Sequence, residues 1–297
     1  MTVLAVGRAP EFSPLHVESD AAILDAVAQG LRRSGAIVRT VGEAEWADDT
    51  DAPLPDVVLS MGRRFRTCVR LEQMERRGCR VVNAPSGVRH VAARELTFDL
   101  LSAAGVRVPA YWAYDAADDR MFQTDAELRT LLPAWVKSLS GRGCGASDVV
   151  YVATPLEADA AVLERVAAGV SDVVVTSHVH GDLVKAYAVL SPCGEAVALF
   201  HWFYPQIEGY SKYGLERHND ALRFTPIDDD DLRRLALRVA QVTGLSVFGF
   251  DVVVEADGGF AVIDVNDWPS FSPCRAEAVE AIVRLLWNAP RASSTAI

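Results

Sequence analysis

The sequence predicts an α/β protein in which a small doubly wound domain precedes a lid and an antiparallel sheet with flanking helices. In the first ninety or so residues, short apolar runs alternate with segments of helical periodicity, as parallel strands joined by crossover helices do. Residues 182–204 and 248–266 each contain two extended runs separated by a Gly-containing turn, which is typical of antiparallel hairpins.

The predicted first domain spans residues 1–92. A strand over 2–6 leads through a loop with Pro10 and Pro14 to a helix near 19–34, whose apolar residues recur at helical spacing. The remaining predicted elements are strands near 36–40 and 56–60, a helix over 66–77 and a strand over 80–83. The alternation favours a parallel sheet covered on both faces.

The second predicted unit, residues 93–180, is a central lid. It opens with a helix over 93–105 that Gly105 ends, because glycine readily takes the left-handed conformation after a helix. Its other predicted elements are strands at 110–114, 134–138, 148–152 and 172–176 and helices at 124–131 and 155–167.

The third predicted unit, residues 181–288, contains the two hairpins and two helices. Between the hairpins, residues 205–226 show no period and predict a mobile loop. The acidic run Asp228–Asp231 is interpreted as the first turn of a helix over 229–243, where negative charge meets the helix dipole. A helix over 275–288 and a tail over 289–297 complete the chain.

Composition excludes several classes of protein. The net charge of −11 over 297 residues disfavours a nucleic-acid binder, which needs clustered positive charge. No apolar stretch approaches the roughly 20 residues that cross a bilayer. The five cysteines are scattered without a CxxC pair, so neither a zinc site nor a disulfide framework is indicated. Because the first residues form a strand pattern instead of a signal peptide, we expect a cytoplasmic protein without membrane or nucleic-acid partners.

Acidic and amide side chains stand at the ends of the two strands in 248–266. Asp251 opens the first apolar run, and Asp264 and Asn266 close the second. Side chains alternate along a strand, so Asp264 and Asn266 share one face and Val265 points away. Two carboxylates and an amide oxygen suit Mg²⁺, which is completed by phosphate oxygens and water. Alternatively, all three are turn formers at strand ends.

A glycine-rich loop and two lysines point to phosphate. The loop over 140–147 contains Gly141, Gly143 and Gly145, and glycine lets backbone N–H groups approach an anion. It leads into a strand and not a helix, so a hairpin flap over a triphosphate fits better than a dinucleotide loop. A plain glycine turn is the alternative. Lys137 ends the preceding apolar strand and Lys185 lies on the strand after Gly181, so both are candidate phosphate contacts.

The order of these features resembles the ATP-grasp superfamily. Residues 248–251 (Phe-Gly-Phe-Asp) with 262–269 (Val-Ile-Asp-Val-Asn-Asp-Trp-Pro) are similar to the metal-binding end of inositol trisphosphate kinases and of the ribosomal-protein glutamate ligase group. Residues 81–83 and 94–109 resemble the helix and turn that link the first two domains of those ligases. The similarity covers roughly residues 80–285.

The resemblance implies a role for each matching position. Lys137 and Arg94 would be the catalytic cations, with Lys137 also binding the α/β-phosphates. The adenine contacts would come from the backbone of Ser177, His178 and Val179. Gly141, Gly143 and Gly145 would cover the β/γ-phosphates, Lys185 would reach the ribose or phosphates, and Asp251, Asp264 and Asn266 would hold Mg²⁺, with Mn²⁺ as an alternative.

Three features depart from the family pattern. Arg94 stands where a lysine is usual, and the hinge has Thr176 and Ser177 where Gln or Glu is common. The ligases commonly carry Glu-x-Asn where this chain has Asp264-x-Asn266, which is the form of the inositol kinases. This last departure leaves the type of reaction open.

The resemblance implies transfer of the γ-phosphate of Mg-ATP to a small-molecule acceptor. An ADP-forming carboxylate–amine ligase is the interpretation we favour, with a small-molecule kinase and a nucleotide-binding protein without turnover as the alternatives. Candidate acceptor contacts are Arg63, His201, Lys212, Arg217 and Arg223, each of which also fits plain packing or a solvated surface. The superfamily further suggests a homodimer.

Overall fold

The structure, a computed structural model, contains three four-stranded sheets that follow one another along the chain. We call them the N-terminal, lid and C-terminal sheets. The residues that it describes are 1–13, 16–47, 53–115, 117, 120–138, 149–170, 173–191, 196–204 and 223–288.

The N-terminal sheet is parallel, with strand order β2-β1-β3-β4. Its strands are β1 (Thr2–Gly7), β2 (Ile37–Gly42), β3 (Val57–Ser60) and β4 (Arg80–Val82). Helix α1 (Val17–Arg33) packs on one face, and α2 (Glu43–Ala47) and α3 (Phe65–Arg76) pack on the other. Alternate residues of β1 enter different cores, with Ala5 in the first and Val6 in the second. The predicted doubly wound sheet is confirmed.

Two helices lead from the N-terminal sheet towards the lid. They are α4 (Pro85–Ala92) and α5 (Arg94–Ala103). The sequence analysis predicted only the second of them. Pro85 occupies the first turn of α4, where its missing N–H costs nothing. Just before α4, the buried amide of Asn83 donates to the carbonyl of Val247 and accepts from the N–H groups of Ser246 and Val247, which ties this sheet to the C-terminal sheet.

The lid sheet is antiparallel, with strand order β5-β8-β6-β7. Its elements are β5 (Tyr111–Ala113), β6 (Ala134–Ser138), β7 (Val149–Val152), α6 (Pro155–Ala167) and β8 (Val173–Ser177). Helix α6 begins with a capping box between Thr154 and Glu157. The predicted helix over 124–131 is wrong, since only a 3-10 turn over Leu128–Leu131 forms. The side chain of Asp125 caps this segment through the N–H groups of Glu127 and Leu128, but Leu132 is extended ahead of Pro133, so the helix does not continue.

The C-terminal sheet is also antiparallel, with order β10-β9-β11-β12. Its elements are β9 (Asp182–Leu190), β10 (Ala196–Phe203), α7 (Asp229–Thr243), β11 (Val247–Val254), β12 (Phe260–Asp267) and α8 (Arg275–Asn288). One face packs on α7, while the other packs on α8, which also contacts α1 of the N-terminal domain. Asp228 caps α7 through the N–H groups of Asp230 and Asp231, as predicted for the acidic run.

The domain boundaries at 92, 180 and 288 stay a prediction, although each predicted unit contributes one sheet. Within the part of the chain that the structure describes, none of the helices combines the length and the apolar character that a membrane span requires.

Candidate functional site

An apolar cleft lies between the lid sheet and the C-terminal sheet. Its empty volume, counted out to its open mouth, is about 530 Å³. The walls are formed by side chains of both sheets: Pro109, Trp135, Lys137, Val149, Thr176, Ser177, His178, Val179, Leu183, Val253 and Ile263. Ligand pockets are mostly apolar with a few polar groups, so the lining of the cleft makes it the first candidate binding site.

The predicted adenine hinge and Lys137 both line this cleft. The N–H of Ser177 donates to the carbonyl of Ala110 at 2.8 Å, and the N–H of His178 donates to the carbonyl of Pro133, also at 2.8 Å. These two donors of the hinge are therefore committed to the lid. Lys137 is buried on β6 opposite Val174 of β8, so its side chain enters the cleft from the lid side.

Beyond the apolar cleft, three charged residues form a row across the C-terminal sheet. Lys185 on β9 is opposite Asp251 on β11, and Asp251 is opposite Asp264 on β12. The Nζ of Lys185 lies 2.9 Å from Oδ1 of Asp251, and their side chains are only 7% and 2% exposed. From its position on an alternating strand, Lys185 taken by itself would be expected to face solvent. In the structure it is part of a buried ion pair.

A β-bulge brings the end of β12 to the cleft. The register between β11 and β12 shifts after Asp251, leaving Ile263 as the extra residue. Val262 and Val265 both pack in the core under α7, while Ile263 lines the cleft. Asp264 and Asn266 share a face, since Nδ2 of Asn266 donates to Oδ2 of Asp264 at 3.2 Å. The predicted side-chain alternation around Val265 is confirmed.

Arg94, the predicted catalytic arginine, lies at the same place. Its Nε is 3.4 Å from Oδ1 of Asp264, and its Nη1 donates to the carbonyl of Ser138 at the end of β6. Arg94 therefore spans the lid sheet and the C-terminal sheet directly beside the predicted metal ligands.

Two buried side chains at strand ends of the C-terminal sheet, Tyr204 and Asp182, form hydrogen bonds that were not predicted from the sequence. The buried hydroxyl of Tyr204, just after β10, donates to Oδ1 of Asp251 at 2.9 Å. The buried carboxylate of Asp182 accepts from the N–H groups of Arg223 and Thr225. Asp182 begins β9 and Tyr204 follows β10. A polar residue at the end of a largely apolar strand is the sequence signal that could have identified both.

A second charged cluster joins the N-terminal sheet to the end of β12. Asp267 accepts from Nη2 of Arg63, and its Oδ2 lies 3.2 Å from Nη2 of Arg8. Nη1 of Arg8 lies 3.1 Å from Asp20 of α1. Arg63, a predicted acceptor contact, is thus engaged by Asp267, and Arg8, Asp20 and Asp267 were not predicted. Because Asp267 follows Asn266, strand alternation points it away from the cleft and towards this cluster.

The pKa values of the cluster follow from burial and pairing. Burial acts to raise the pKa of Asp267, but Arg63 and Arg8 outweigh it and hold that pKa below its ordinary value. Burial likewise acts to lower the pKa of Arg63, and the ion pair and hydrogen bond with Asp267 reverse this. The pKa of Arg8 is lowered, by burial first and then by repulsion from Arg63. The carboxylate and both guanidinium groups therefore stay charged near neutral pH.

Of the other predicted acceptor residues, the two that the structure describes, His201 and Arg223, do not line the cleft. His201 is paired with Ala186, whose side chain enters the core under α7, and its Nδ1 lies 3.8 Å from Oδ1 of Asp229. It therefore faces away from Lys185. Arg223 is exposed and contributes its backbone N–H to Asp182. Lys212, Arg217 and the flap glycines Gly141, Gly143 and Gly145 lie outside the described residues.

The predicted metal ligands fit Mg²⁺ shared with phosphate better than a metal held by protein alone. Among the described residues, no group of three or more His, Cys, Asp or Glu side chains is placed to hold a metal. Asp264 and Asn266 offer adjacent hard oxygen ligands and Asp251 is opposite Asp264. Mg²⁺ commonly takes one or two carboxylates and fills its shell with substrate phosphates and water, so the residues present suit that role.

No family model matches the sequence, and no curated protein sequence matches it. Solved structures do match over nearly the whole chain. A RimK domain protein ATP-grasp from Sphaerobacter thermophilus DSM 20745 is 18% identical, with 96% of this chain and 99% of that chain covered at a TM-score of 0.65. D-alanine–D-alanine ligase from Bacillus anthracis is 15% identical, with 96% and 95% covered at 0.68. The ATP-grasp ligase PsnB, complexed with minimal precursor, is 17% identical, with 95% and 98% covered at 0.61.

At such low identity the likeness is one of fold. The chain has the ATP-grasp fold, and two of the matched structures are named as ligases. The mixed α/β architecture predicted from the sequence is confirmed.

Proposed function

We propose that the protein is an ATP-dependent, ADP-forming carboxylate–amine ligase. The observation that carries this proposal is the continuity of the site: the apolar cleft between two sheets leads to the row Lys185, Asp251 and Asp264, with Arg94 beside it. This arrangement provides an apolar slot for a base and charged groups for a triphosphate. Two structures with the same fold are a D-alanine–D-alanine ligase and an ATP-grasp ligase, which supports the same activity by analogy of fold.

In this proposal, adenine occupies the apolar cleft and the triphosphate extends towards β12. Since Ser177 and His178 already donate their N–H groups to the lid, the hinge would meet adenine with the backbone of Val179 and the remaining carbonyl groups. Lys137 would place its charge on the α/β-phosphates. Lys185 would reach the phosphates from the C-terminal sheet, next to Asp251.

Mg²⁺, or Mn²⁺ in its place, would be held by Asp264, Asn266 and Asp251 together with phosphate oxygens. When bound, the ion neutralises charge on the β- and γ-phosphates. Lys185 and Tyr204 both contact Oδ1 of Asp251, so they fix the orientation of that carboxylate.

The proposed reaction has two steps. A carboxylate oxygen of the acceptor attacks the γ-phosphorus, the bond to the β,γ-bridging oxygen breaks, and ADP leaves with the electron pair. The nitrogen of an amine then attacks the acyl carbon of the acyl phosphate, inorganic phosphate leaves, and the amine loses a proton. Arg94 and Lys137 would stabilise the charge that develops during phosphoryl transfer, which is mainly a matter of positioning and electrostatics.

A small-molecule kinase is the second candidate, and Asp264-x-Asn266 is the feature that favours it. In a kinase, a hydroxyl oxygen attacks the γ-phosphorus and the phosphorylated product is released without the second step. A nucleotide-binding protein without turnover is the third candidate. It would leave Arg94 beside Asp264 without a catalytic use.

One assay separates the three candidates. The protein is incubated with Mg-ATP and a pool of carboxylates, amines and polyols, and ADP, free phosphate and new products are measured by mass spectrometry. Equal ADP and free phosphate with a condensed product supports the ligase, and a phosphorylated product without free phosphate supports the kinase. Nucleotide binding without ADP formation supports the third candidate.

The Asp264→Ala variant tests the metal assignment in the same assay. We expect ADP formation to be abolished while the circular dichroism spectrum stays that of a folded protein. Full turnover by this variant would exclude Asp264 as a metal ligand. The matched control is Asp257→Ala, which removes a carboxylate from an exposed turn of the same hairpin.

A further inference from the structure

Asp267 is the point at which the N-terminal sheet contacts the metal end of β12. It follows Asn266 directly, and its side chain is completely buried. Oδ1 accepts from Nη2 of Arg63, Oδ2 accepts from Nη2 of Arg8 at 3.2 Å, and its backbone carbonyl accepts from the same Nη2 of Arg8 at 2.9 Å. Both the side chain and the backbone of Asp267 are therefore fixed by these two arginines.

The two arginines are themselves held at the carboxyl edge of the N-terminal sheet. Arg8 follows β1 and Arg63 is close after β3, and these strands are neighbours. Arg8 is bound from behind, because its Nε donates to the carbonyl of Met61 at 3.3 Å and its Nη1 donates to Asp20 at 3.1 Å. Ligands of open α/β sheets bind at this carboxyl edge.

Cohesion between the two sheets does not require these buried charges. The apolar core around α1 and α8 already joins them, as do the three hydrogen bonds of Asn83. Burying charged groups costs several kcal/mol per ion, and well-packed apolar residues often replace a buried ion pair without loss of stability. The hydrogen bonds of Arg8 and Arg63 to Asp267 instead fix the orientation of Asp267, which is the residue next to the predicted metal ligand Asn266.

We propose that Asp267 is a positioning residue, which through Arg8 and Arg63 sets where Asp264 and Asn266 stand relative to the carboxyl edge of the N-terminal sheet. The bridge would then align the γ-phosphate, held at β12, with an acceptor held at that edge. This inference rests on the proposed function for the chemistry of the site. It assigns to Asp267 no contact with substrate or metal.

The test compares binding of Mn²⁺ with binding of metal-free nucleotide. Mn²⁺ is titrated by electron paramagnetic resonance in the presence of the non-hydrolysable ATP analogue AMP-PNP. Binding of ADP without metal is followed by the intrinsic tryptophan fluorescence, to which Trp135 in the wall of the cleft contributes. For Asp267→Asn we expect the Kd for Mn²⁺ to rise roughly 10- to 100-fold, as is usual when a partner of a metal ligand is removed, with the Kd for ADP unchanged.

Two arginine-to-lysine variants separate an effect on Mn²⁺ binding from a general loss of stability. Arg63→Lys keeps the charge but loses the planar fork, so we expect weaker Mn²⁺ binding in the same direction. Arg80→Lys is the matched control, because Arg80 also reaches from the N-terminal sheet, from the start of β4 to the carbonyl groups of Leu285 and Leu286 at the end of α8. We expect Arg80→Lys to lose stability only, with Mn²⁺ binding unchanged.

The outcomes separate this inference from the proposed function. A folded Asp267→Asn protein with unchanged Mn²⁺ affinity would overturn the positioning role. If Asp267→Asn does not fold, Arg63→Lys decides, and equal Mn²⁺ affinities for Arg63→Lys and Arg80→Lys would overturn it as well. If the unmodified protein binds neither ADP nor Mn²⁺ with AMP-PNP, the proposed function itself fails.

Discussion

Arg94 and Asp264 lie side by side in the structure, with Nε of Arg94 3.4 Å from Oδ1 of Asp264. Arg94 opens α5 and Asp264 lies near the end of β12, so the contact joins the entrance of the lid to the end of the C-terminal sheet that carries the proposed metal ligands. The carbonyl of Ser138 accepts from the same guanidinium group. Arg94 at the start of α5 therefore contacts both the end of β6 and the end of β12 at the candidate phosphate site.

We expect Arg94→Ala to lower kcat for ADP formation by roughly 10²- to 10³-fold, the usual cost of removing one donor that stabilises transition-state charge. The measurement is a coupled ADP assay at saturating Mg-ATP. Arg107→Ala is the control, because Arg107 forms an exposed ion pair with Glu255, at the end of the C-terminal sheet that is far from Asp264. Equal rates for the two variants would argue against a catalytic role for Arg94.

Lys137→Met should weaken binding of ATP without weakening binding of adenosine. The ammonium group is the part of Lys137 that meets phosphate in the proposal, whereas the apolar cleft that receives the base is retained. We expect the Kd for ATP to rise at least about tenfold, which corresponds to roughly 1.4 kcal/mol. Isothermal titration with both ligands checks this, and a parallel loss of adenosine affinity would mean that the substitution disturbs the cleft itself.

Gly181→Ala should destabilise the protein far more than Gly258→Ala. Both glycines have positive φ, of 152° and 85°, which costs an alanine roughly 1–2 kcal/mol. A Cβ at Gly181 would also stand 2.3 Å from the carbonyl oxygen of Val254, whereas a Cβ at Gly258 meets open space. We expect a difference in the free energy of unfolding of at least about 2 kcal/mol, measured by urea denaturation.

Gly181 also joins the hinge to β9, so the same pair of variants can be compared by a second measurement, the KM for ATP. Because any shift at this position moves Ser177–Val179 relative to Leu183, Gly181→Ala should raise the KM for ATP. Gly258→Ala should leave it unchanged. A Gly181→Ala protein with normal stability and normal KM would contradict the steric argument.

Three buried cysteines should be inert in the native protein. Burial raises the pKa of Cys68 and of Cys79 to about 11 and that of Cys274 to about 12. Each thiol is therefore protonated at pH 8, and the thiolate is the reactive form. Iodoacetamide labelling at pH 8 followed by peptide mass spectrometry should leave all three unmodified, and labelling in guanidinium chloride should modify them.

The sign of the corresponding stability effect is fixed by the direction of these shifts. A thiol whose pKa is higher in the folded protein ionises first in the unfolded chain. These groups contribute stability that is complete below the ordinary thiol pKa and is lost as the pH rises through about 11 to 12. Rapid native labelling of Cys274 at pH 8 would show that its environment is not apolar.

The local sequence pattern by itself determined most of the secondary structure and the face on which several site residues lie. The alternation of strands and helices, the caps of α7 and the shared face of Asp264 and Asn266 all follow from residues close together in sequence. Side-chain direction along a strand repeats every two residues, so the placement of Val265 could be predicted without knowing any partner. Where the effect of Pro133 on the residue before it was overlooked, in the segment 124–131, the predicted helix did not form.

Only the tertiary structure decided which residues meet. The register of β9, β11 and β12 places Lys185 against Asp251 and turns His201 towards α7. The bulge at Ile263 is set by the pairing of β11 with β12, and the burial of Asp267 between Arg8 and Arg63 is set by the packing of the N-terminal sheet on the C-terminal sheet. Periodicity within a segment fixes the face on which a side chain stands, but the partner on that face depends on strand register and sheet packing, which bring together residues from opposite ends of the chain.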